Sequence, residues 1–446
     1  MSYATARRRG ANGESNKLYA EDRTVHEWYR FVLSFPPHLV RDYLRRFGTD
    51  SGRRVLDPFC GTGTTLVECK KRGIPSIGME ANPVAHFASR TKVDWRPDPD
   101  GLTAHARQVA EAAAEELEAQ GIQDDLLLPV DNAAFHGLRT LPPECGKLLL
   151  TDSISPLPLH KTLVLLDCLD RHCDERYLGH EQLALAKALA GSISNLHFGP
   201  EVGVGPAKAD ASVIAVWLNG VRAMADDLRR VRQMADTPAA VHGGDSRQIV
   251  PPLVPNSIDA VITSPPYPNE KDYTRATRLE SVLLGFIHNK AELRALKRGL
   301  VRSNTRGVYE DDDDDRWISD QPEIRRIAEA IEARRIALGK TSGFERLYAR
   351  VTKLYFGGMQ RHLAALRPVL RPGAQLAYVV GDQASYLRVM IRTGQLLADI
   401  AQSLGYELVG IDLFRTRLAT ATKEQLREEV VVLRWPGRQR MGQRYA

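Results

Sequence analysis

At 446 residues, with 43% hydrophobic and 26% charged residues, the chain has room for one large globular domain with insertions or for two to three ordinary ones. No apolar run approaches the roughly 18 residues of a membrane span, and the basic start, Met1 to Gly10, lacks the apolar segment of a secretory signal. A net charge of +6 permits nucleic-acid contact without requiring it, and five scattered cysteines build no disulfide framework, which suits a reducing cytoplasm.

Residues 1–25 read as a polar, basic arm. Phe35-Pro36-Pro37 opens a helix, because Pro fits a first helical turn and Leu39, Val40, Tyr43 and Leu44 follow at helical spacing. Arg53–Asp57 reads as a strand, Thr64–Lys71 as a helix, Pro75–Glu80 as a second strand and Pro83–Thr91 as a second helix. That alternation predicts a parallel sheet with helices on its faces. Residues 96–240 then read almost wholly as helices (102–119, 161–170, 181–189 and 212–234), with a Gly-rich loop at Phe198–Pro206. This is a large helical insertion. The α/β pattern resumes at Val241, with a strand over 257–263 and a helix over 278–287. A second, irregular insertion spans 288–344. It holds the acidic run Glu310–Asp315, expected as a loop tip, and a basic helix over 324–336. A helix (354–370), a strand (375–380), a helix (395–404) and two strands (407–415 and 428–435) finish the chain, the last pair as an antiparallel hairpin.

The chemistry concentrates in two places. Asp57-Pro58-Phe59-Cys60-Gly61-Thr62-Gly63-Thr64-Thr65 joins a strand to a helix. Its glycines let the backbone approach a ligand, and the helix start offers free N–H groups. Glu80 lies 23 residues beyond Asp57, at the next strand's tip, where an acid can hold both ribose hydroxyls of a nucleoside cofactor. NAD, FAD and S-adenosylmethionine all fit that much. Thr263-Ser264-Pro265-Pro266-Tyr267 follows an apolar strand. Two prolines stiffen the chain and remove two N–H donors, so the turn offers mainly acceptors. Acceptors that grip the two N–H groups of an amino group on a planar base free its nitrogen lone pair for methylation, and Tyr267 provides a stacking face.

Together these segments resemble the amino-methylating DNA methyltransferases, which modify N4 of cytosine or N6 of adenine. Gly78-Met79-Glu80-Ala81-Asn82-Pro83, Gly244-Asp245-Ser246 and Phe35-Pro36-Pro37 extend the likeness to about half the chain. The resemblance implies a Rossmann-like α/β three-layer sandwich with a mostly parallel sheet. It implies S-adenosylmethionine as cofactor, held by Asp57, Pro58, Phe59, Cys60, Gly61, Gly63, Thr64, Thr65, Glu80 and Asn82. Asp245 would meet the cofactor adenine, and Phe35 and Pro36 would lie near its methionine end. Ser264, Pro265, Pro266 and Tyr267 become the catalytic residues, and Ser264 favours cytosine N4 over adenine N6. No metal is required. Methylation at carbon-5 needs a placed Cys nucleophile, which neither Cys60 nor Cys145 supplies. Cys168 and Cys173 lie in a helical stretch with no second ligand pair.

The core is therefore expected in residues 1–95, 241–287 and 345–446, with insertions at 96–240 and 288–344. Either insertion could read double-stranded DNA, the expected partner. In the second, Lys297, Arg298, Arg302 and Arg306, with Arg325, Arg326, Arg334 and Arg335, are candidates for phosphate contact. Asn269, Asp272, Tyr273, Thr274 and Arg275 are candidates for the base pocket, with the Phe198–Pro206 loop behind them. His26, Trp28 and Tyr29 either cover the cofactor or pack the arm on the core. An RNA base methyltransferase and a methyltransferase-like DNA-binding subunit of a larger complex stay open as alternatives. Restriction or defence subunits are candidate partners.

Overall fold

Side chains along the central strands point alternately to two faces, and both faces are buried. The computed structural model describes residues 17–30, 34–124, 137–198, 201–249, 253–269, 271–418 and 425–437. Its strands are β1 (Val55–Asp57), β2 (Ser76–Glu80), β3 (Leu196–Phe198), β4 (Val202–Val204), β5 (Ala239–Gly243), β6 (Ile258–Thr263), β7 (Leu370–Gly381), β8 (Glu407–Leu418) and β9 (Gln425–Arg434). Val55, Ala260, Ile262, Ala377, Val379, Val430 and Val432 point to one face, where the helix Pro37–Arg46 covers them with Leu39, Val40, Tyr43 and Leu44. Leu56, Val261, Leu376, Tyr378, Val380, Val431 and Leu433 point to the other, against the helices Gly343–Leu366 and Thr393–Ser403. This is period-two strand geometry with both faces buried, as in a three-layer sandwich.

Seven strands form the main sheet in the order β5-β2-β1-β6-β7-β9-β8. β5, β2, β1, β6 and β7 run parallel, and β9 is antiparallel to both of its neighbours. The fold is Rossmann-like. The expected final hairpin is present, but β9 inserts between β7 and β8 rather than adding at the edge. The order reverses beside β1, with β2 on one side and β6 on the other. A ligand crevice belongs outside the carboxyl ends of strands at such a point.

The stretch 96–240, expected as a helical insertion, holds the helices Pro99–Glu118, Pro156–Arg171, Leu178–Ala188 and Ile214–Val231. It is not a separately cored body. Trp217, Leu102, Val109 and Leu165 share one apolar cluster with Leu66, Val67, Val84 and Ala88 of the sheet's own helices. The Gly-rich loop expected at 198–206 is in part a hairpin, since β3 and β4 pair antiparallel; residues 199 and 200 lie outside the described residues, as does the arm at 1–16. The strand expected from Val241 starts at Ala239 and pairs along the whole of β2.

The stretch 288–344, expected as a second insertion, is more regular than its composition suggests. It contains the helices Lys290–Arg298 and Pro322–Ala337, and the helix expected to start at 354 starts at Gly343. Ser342 caps it, accepting from Glu345 N while donating to the Glu345 carboxylate at 2.8 Å. That capping box is legible in Ser342-Gly-Phe-Glu345. Among the described residues, no helix is long and apolar enough to cross a membrane.

Candidate active site

β1 ends at Asp57, and the chain turns through Pro58–Gly63 into the helix Thr64–Lys70. Gly63 has φ +84°, and a Cβ there would lie 3.1 Å from that of Ser89, so both conformation and space call for glycine. Nothing lies within 4 Å of a Cβ placed on Gly61, which leaves that backbone open to a ligand. The Glu80 carboxylate accepts from Gly61 N and Asn82 N, each at 2.8 Å, and so fastens the turn to the next helix. Those bonds use two of about four acceptor positions of a carboxylate. The rest remain for hydroxyl groups. Burial pushes Glu80 up to about 7, against the pull of the backbone N–H groups. Asn82 caps the helix Pro83–Lys92 by accepting from Val84 N and Ala85 N.

The second turn is bolted to the first. Thr263 Oγ1 donates to Asp57 Oδ1 at 2.6 Å, and Thr65 Oγ1 donates to the Ile262 carbonyl at 3.1 Å. Asp57 is fully buried, and that burial raises its carboxyl to about 6 even though Thr263, Thr65 and Phe59 N all stabilise the charge. Ser264 Oγ donates to the Val379 carbonyl of β7 at 3.1 Å, so its oxygen presents lone pairs. The Tyr267 ring lies so close to Gly381 that a Cβ there would stand 3.0 Å from it. Phe59 is buttressed from below by His362, with ring centroids 4.8 Å apart. His362 in turn bonds the Ser246 carbonyl (2.8 Å) and Tyr378 Oη (2.7 Å), and burial lowers its pKa to about 4.

One cleft of about 290 Å³ results. Phe35, Pro58, Phe59, Cys60, Gly61, Thr64, Glu80 and Asn82 line it together with Ser264, Pro265, Pro266 and Tyr267. An acid with acceptor positions to spare, an open glycine backbone and an acceptor-rich turn therefore share one space, a set that fits S-adenosylmethionine beside an amino acceptor.

Residues 7–89 match the family profile described as DNA methylase, of the N6/N4 type. The chain is 24% identical to the Type II methyltransferase M.BsoBI of Geobacillus stearothermophilus, over 93% of this chain and 85% of that protein. It is 22% identical to the Type II methyltransferase M.AvaI of a Nostoc species, over 93% and 87%. The chain is thus similar to amino-methylating DNA methylases, by profile over its first part and by these relatives over most of its length. Its cofactor is S-adenosylmethionine. Among solved structures, the rRNA methyltransferase aviRa from Streptomyces viridochromogenes aligns over 96% of this chain and 97% of its own, at 11% identity and a TM-score of 0.34.

Several residues stand elsewhere than the motifs suggest. Asp57, Gly63, Thr65 and Pro36 do not line the cleft; they build it from behind. Gly244 and Ser246 line it, but the Asp245 carboxylate between them accepts from Arg247 Nε at 2.9 Å and from an Arg247 terminal nitrogen at 2.7 Å. Arg247 also donates to Asp314 and to the Arg298 carbonyl. The acidic run is thus no free loop tip. Asp314 is buried and begins a short 3-10 turn, Asp312 pairs with Arg302 at 2.7 Å, and Asp311 pairs with Arg298. Lys297 pairs with Asp272 at 2.8 Å. Opposite charges a few residues apart neutralise each other across the loop. Gly299–Asn304 becomes a cleft wall. On the helix Pro322–Ala337, Arg326 and Arg335 pair with Glu323 and Glu332, while Arg325 and Arg334 are exposed.

Asn269, Asp272 and Tyr273 do reach the cleft. Thr274 is buried and bonds Asp272, and Arg275 faces a second cavity. His26, Trp28 and Tyr29 do not cover the cleft. They are buried against Glu68, Asp227 and Glu280 respectively. Cys60 is buried, and that burial pushes its thiol well up, which disfavours the nucleophilic thiolate. Among the described residues, no group of three or more His, Cys, Asp or Glu could hold a metal. Arg415 and Glu428, paired at 2.6 Å, close the cleft from β8 and β9 and were not signalled by the sequence. Strand alternation says which face they take, not which site they reach.

Proposed function

We propose that this chain methylates an exocyclic amino group of a base in double-stranded DNA, and that the base is cytosine, at N4. The observation that carries the proposal is the placement of Ser264 in the same cleft as Glu80, with Asp57 and Thr263 bonded between their two turns. When bound, S-adenosylmethionine supplies a methyl group on a positively charged sulfur. The chain's own part is positioning and electrostatics. Ser264 Oγ and the Pro265 carbonyl accept the N–H groups of the target amine and turn its lone pair outward. Tyr267, held by Gly381, stacks on a base taken out of the duplex. The family tends to use serine at the head of this motif for cytosine N4 and aspartate for adenine N6, so Ser264 favours cytosine. The Type II names of the relatives support DNA as substrate and a restriction–modification setting.

Target reading is assigned to the helical insertion. In the second insertion Lys297, Arg298 and Arg302 are ion-paired, and Lys297 and Arg302 line the cleft. The test is nucleoside mass spectrometry of duplex DNA incubated with the purified protein. N4-methylcytosine is expected; N6-methyladenine alone overturns the base, and methylation of RNA transcripts but not of duplex DNA overturns the substrate. Ser264→Ala should lose most activity and keep cofactor affinity. Full activity in that variant refutes the catalytic assignment.

A further inference from the structure

Beside the cleft lies a second cavity, of about 530 Å³, which shares Lys271, Asp272 and Tyr273 with it as a common wall. The helical insertion supplies much of the rest: Lys187, the wide helical turn Leu189–Ile193, and Phe198 and Val202 of the β3–β4 hairpin. Wide turns of this kind recur at functional sites. Nothing in the cofactor chemistry uses this space.

Its floor is chemically unfinished. Glu280 is fully buried and lines the cavity. One carboxylate oxygen, Oε1, accepts from Tyr29 Oη at 2.7 Å; the other, Oε2, is buried with no hydrogen-bond partner among the described residues. Arg275 Nε, in the same lining, is also buried and unpartnered. Native folds leave few such atoms, and each asks for a partner. Lys187, Lys271 and Arg275 all line the cavity, and none has an ion-pair partner among the described residues. The nearby Asp272 is already committed to Lys297. The cavity thus combines a buried acceptor, cations without an ion pair, the further carboxylates of Glu27 and Glu201, and aromatic faces from Tyr273 and Phe198.

We propose that this cavity receives a second base of the target strand, the neighbour of the base being methylated, and that Glu280 selects it by accepting a hydrogen bond from its exocyclic amino group. Lys187, Lys271 and Arg275 meet the phosphates on either side, and the aromatic faces stack on the unstacked base. Thymine, which has no amino group, is refused. The inference rests on the DNA-methylation reading and adds the origin of sequence choice beside the target.

The test measures kcat/KM on duplexes in which each base flanking the methylated one is replaced, in turn, by its analogue lacking the amino group. Three full-length proteins are compared: wild type, Glu280→Gln and Gly191→Phe. Gln keeps an acceptor for Tyr29. Gly191 has open space where a Cβ would go, so a phenylalanine there fills the cavity without displacing backbone. In the wild type, removing the amino group at one neighbouring position should lower kcat/KM roughly 5- to 150-fold, the value of one good base contact. Glu280→Gln should erase that difference, and Gly191→Phe should depress kcat/KM on all duplexes while leaving cofactor affinity and melting temperature unchanged. Equal use of all analogues by the wild type, or undiminished discrimination in Glu280→Gln, overturns the proposal. If Glu280→Gln does not fold, Gly191→Phe decides, and wild-type rates in that variant overturn it. A wild-type protein that methylates no duplex at all instead refutes the function on which the inference rests.

Discussion

Glu80 offers the sharpest test of the cofactor site, because its chemistry depends on pH. Its carboxylate holds Gly61 N and Asn82 N, and burial raises it to about 7 from an ordinary 4.5. A ribose that donates two hydroxyl hydrogens needs the ionised form. Cofactor affinity should therefore be full above about pH 7. It should fall about tenfold per pH unit below it, until the lower pKa of the complex is reached. Glu80→Gln keeps the shape but turns one acceptor into a donor, at a cost of about 1.5–3 kcal/mol for a hydrogen bond to a charged group. That predicts a roughly 10- to 150-fold weaker Kd at alkaline pH, and a profile without the inflection near 7. Isothermal titration with S-adenosylmethionine between about pH 5.5 and 8.5 measures both. Titration of the cofactor's own amino group is common to the two proteins, so the difference between them isolates residue 80. Wild-type affinity that stays flat through pH 7, or a Gln variant that binds as well as wild type, refutes the assignment.

Other perturbations probe the supports. Thr263→Val removes the 2.6 Å bond to the buried Asp57 and should destabilise the protein by about 1.5–3 kcal/mol in urea unfolding; an unchanged midpoint would show that the two turns are not coupled through it. Arg247→Met leaves Asp245 and the buried Asp314 without their shared partner, for which a loss of about 3–5 kcal/mol is expected. A raised KM for S-adenosylmethionine should accompany it, since the cleft wall hangs on that link, and wild-type values for both would count against it. Gly357→Ala would set a Cβ 1.9 Å from the Asp314 carbonyl oxygen, so at least about 1–3 kcal/mol should be lost. A melting temperature equal to wild type would mean that the helix and the acidic turn are not in close contact.

The chemistry was local and therefore readable. A glycine turn, the acid at the next strand's tip and a Ser-Pro-Pro-Tyr turn each carry their meaning in a few adjacent residues. Hydrophobic periodicity likewise announced the strands and most helices, because burial on two faces imposes it residue by residue. Long-range pairing was not readable. Whether Asp311–Asp314 repel a phosphate or neutralise Arg298, Arg302 and Arg247 depends on which loop folds against which, and a charge run looks the same in both cases. Asp245 sat in the right segment, but its carboxylate went to Arg247. Glu428 and Arg415 reached the cleft only because β9 inserts between β7 and β8. The sequence by itself determined the reaction class and its cofactor. Tertiary structure decided that two turns 206 residues apart are one unit, and that the second insertion walls the cleft. It also left a buried carboxylate oxygen without a partner in the cavity next to the Ser-Pro-Pro-Tyr cleft, because such placements are set by packing between distant segments and not by any neighbour in the chain.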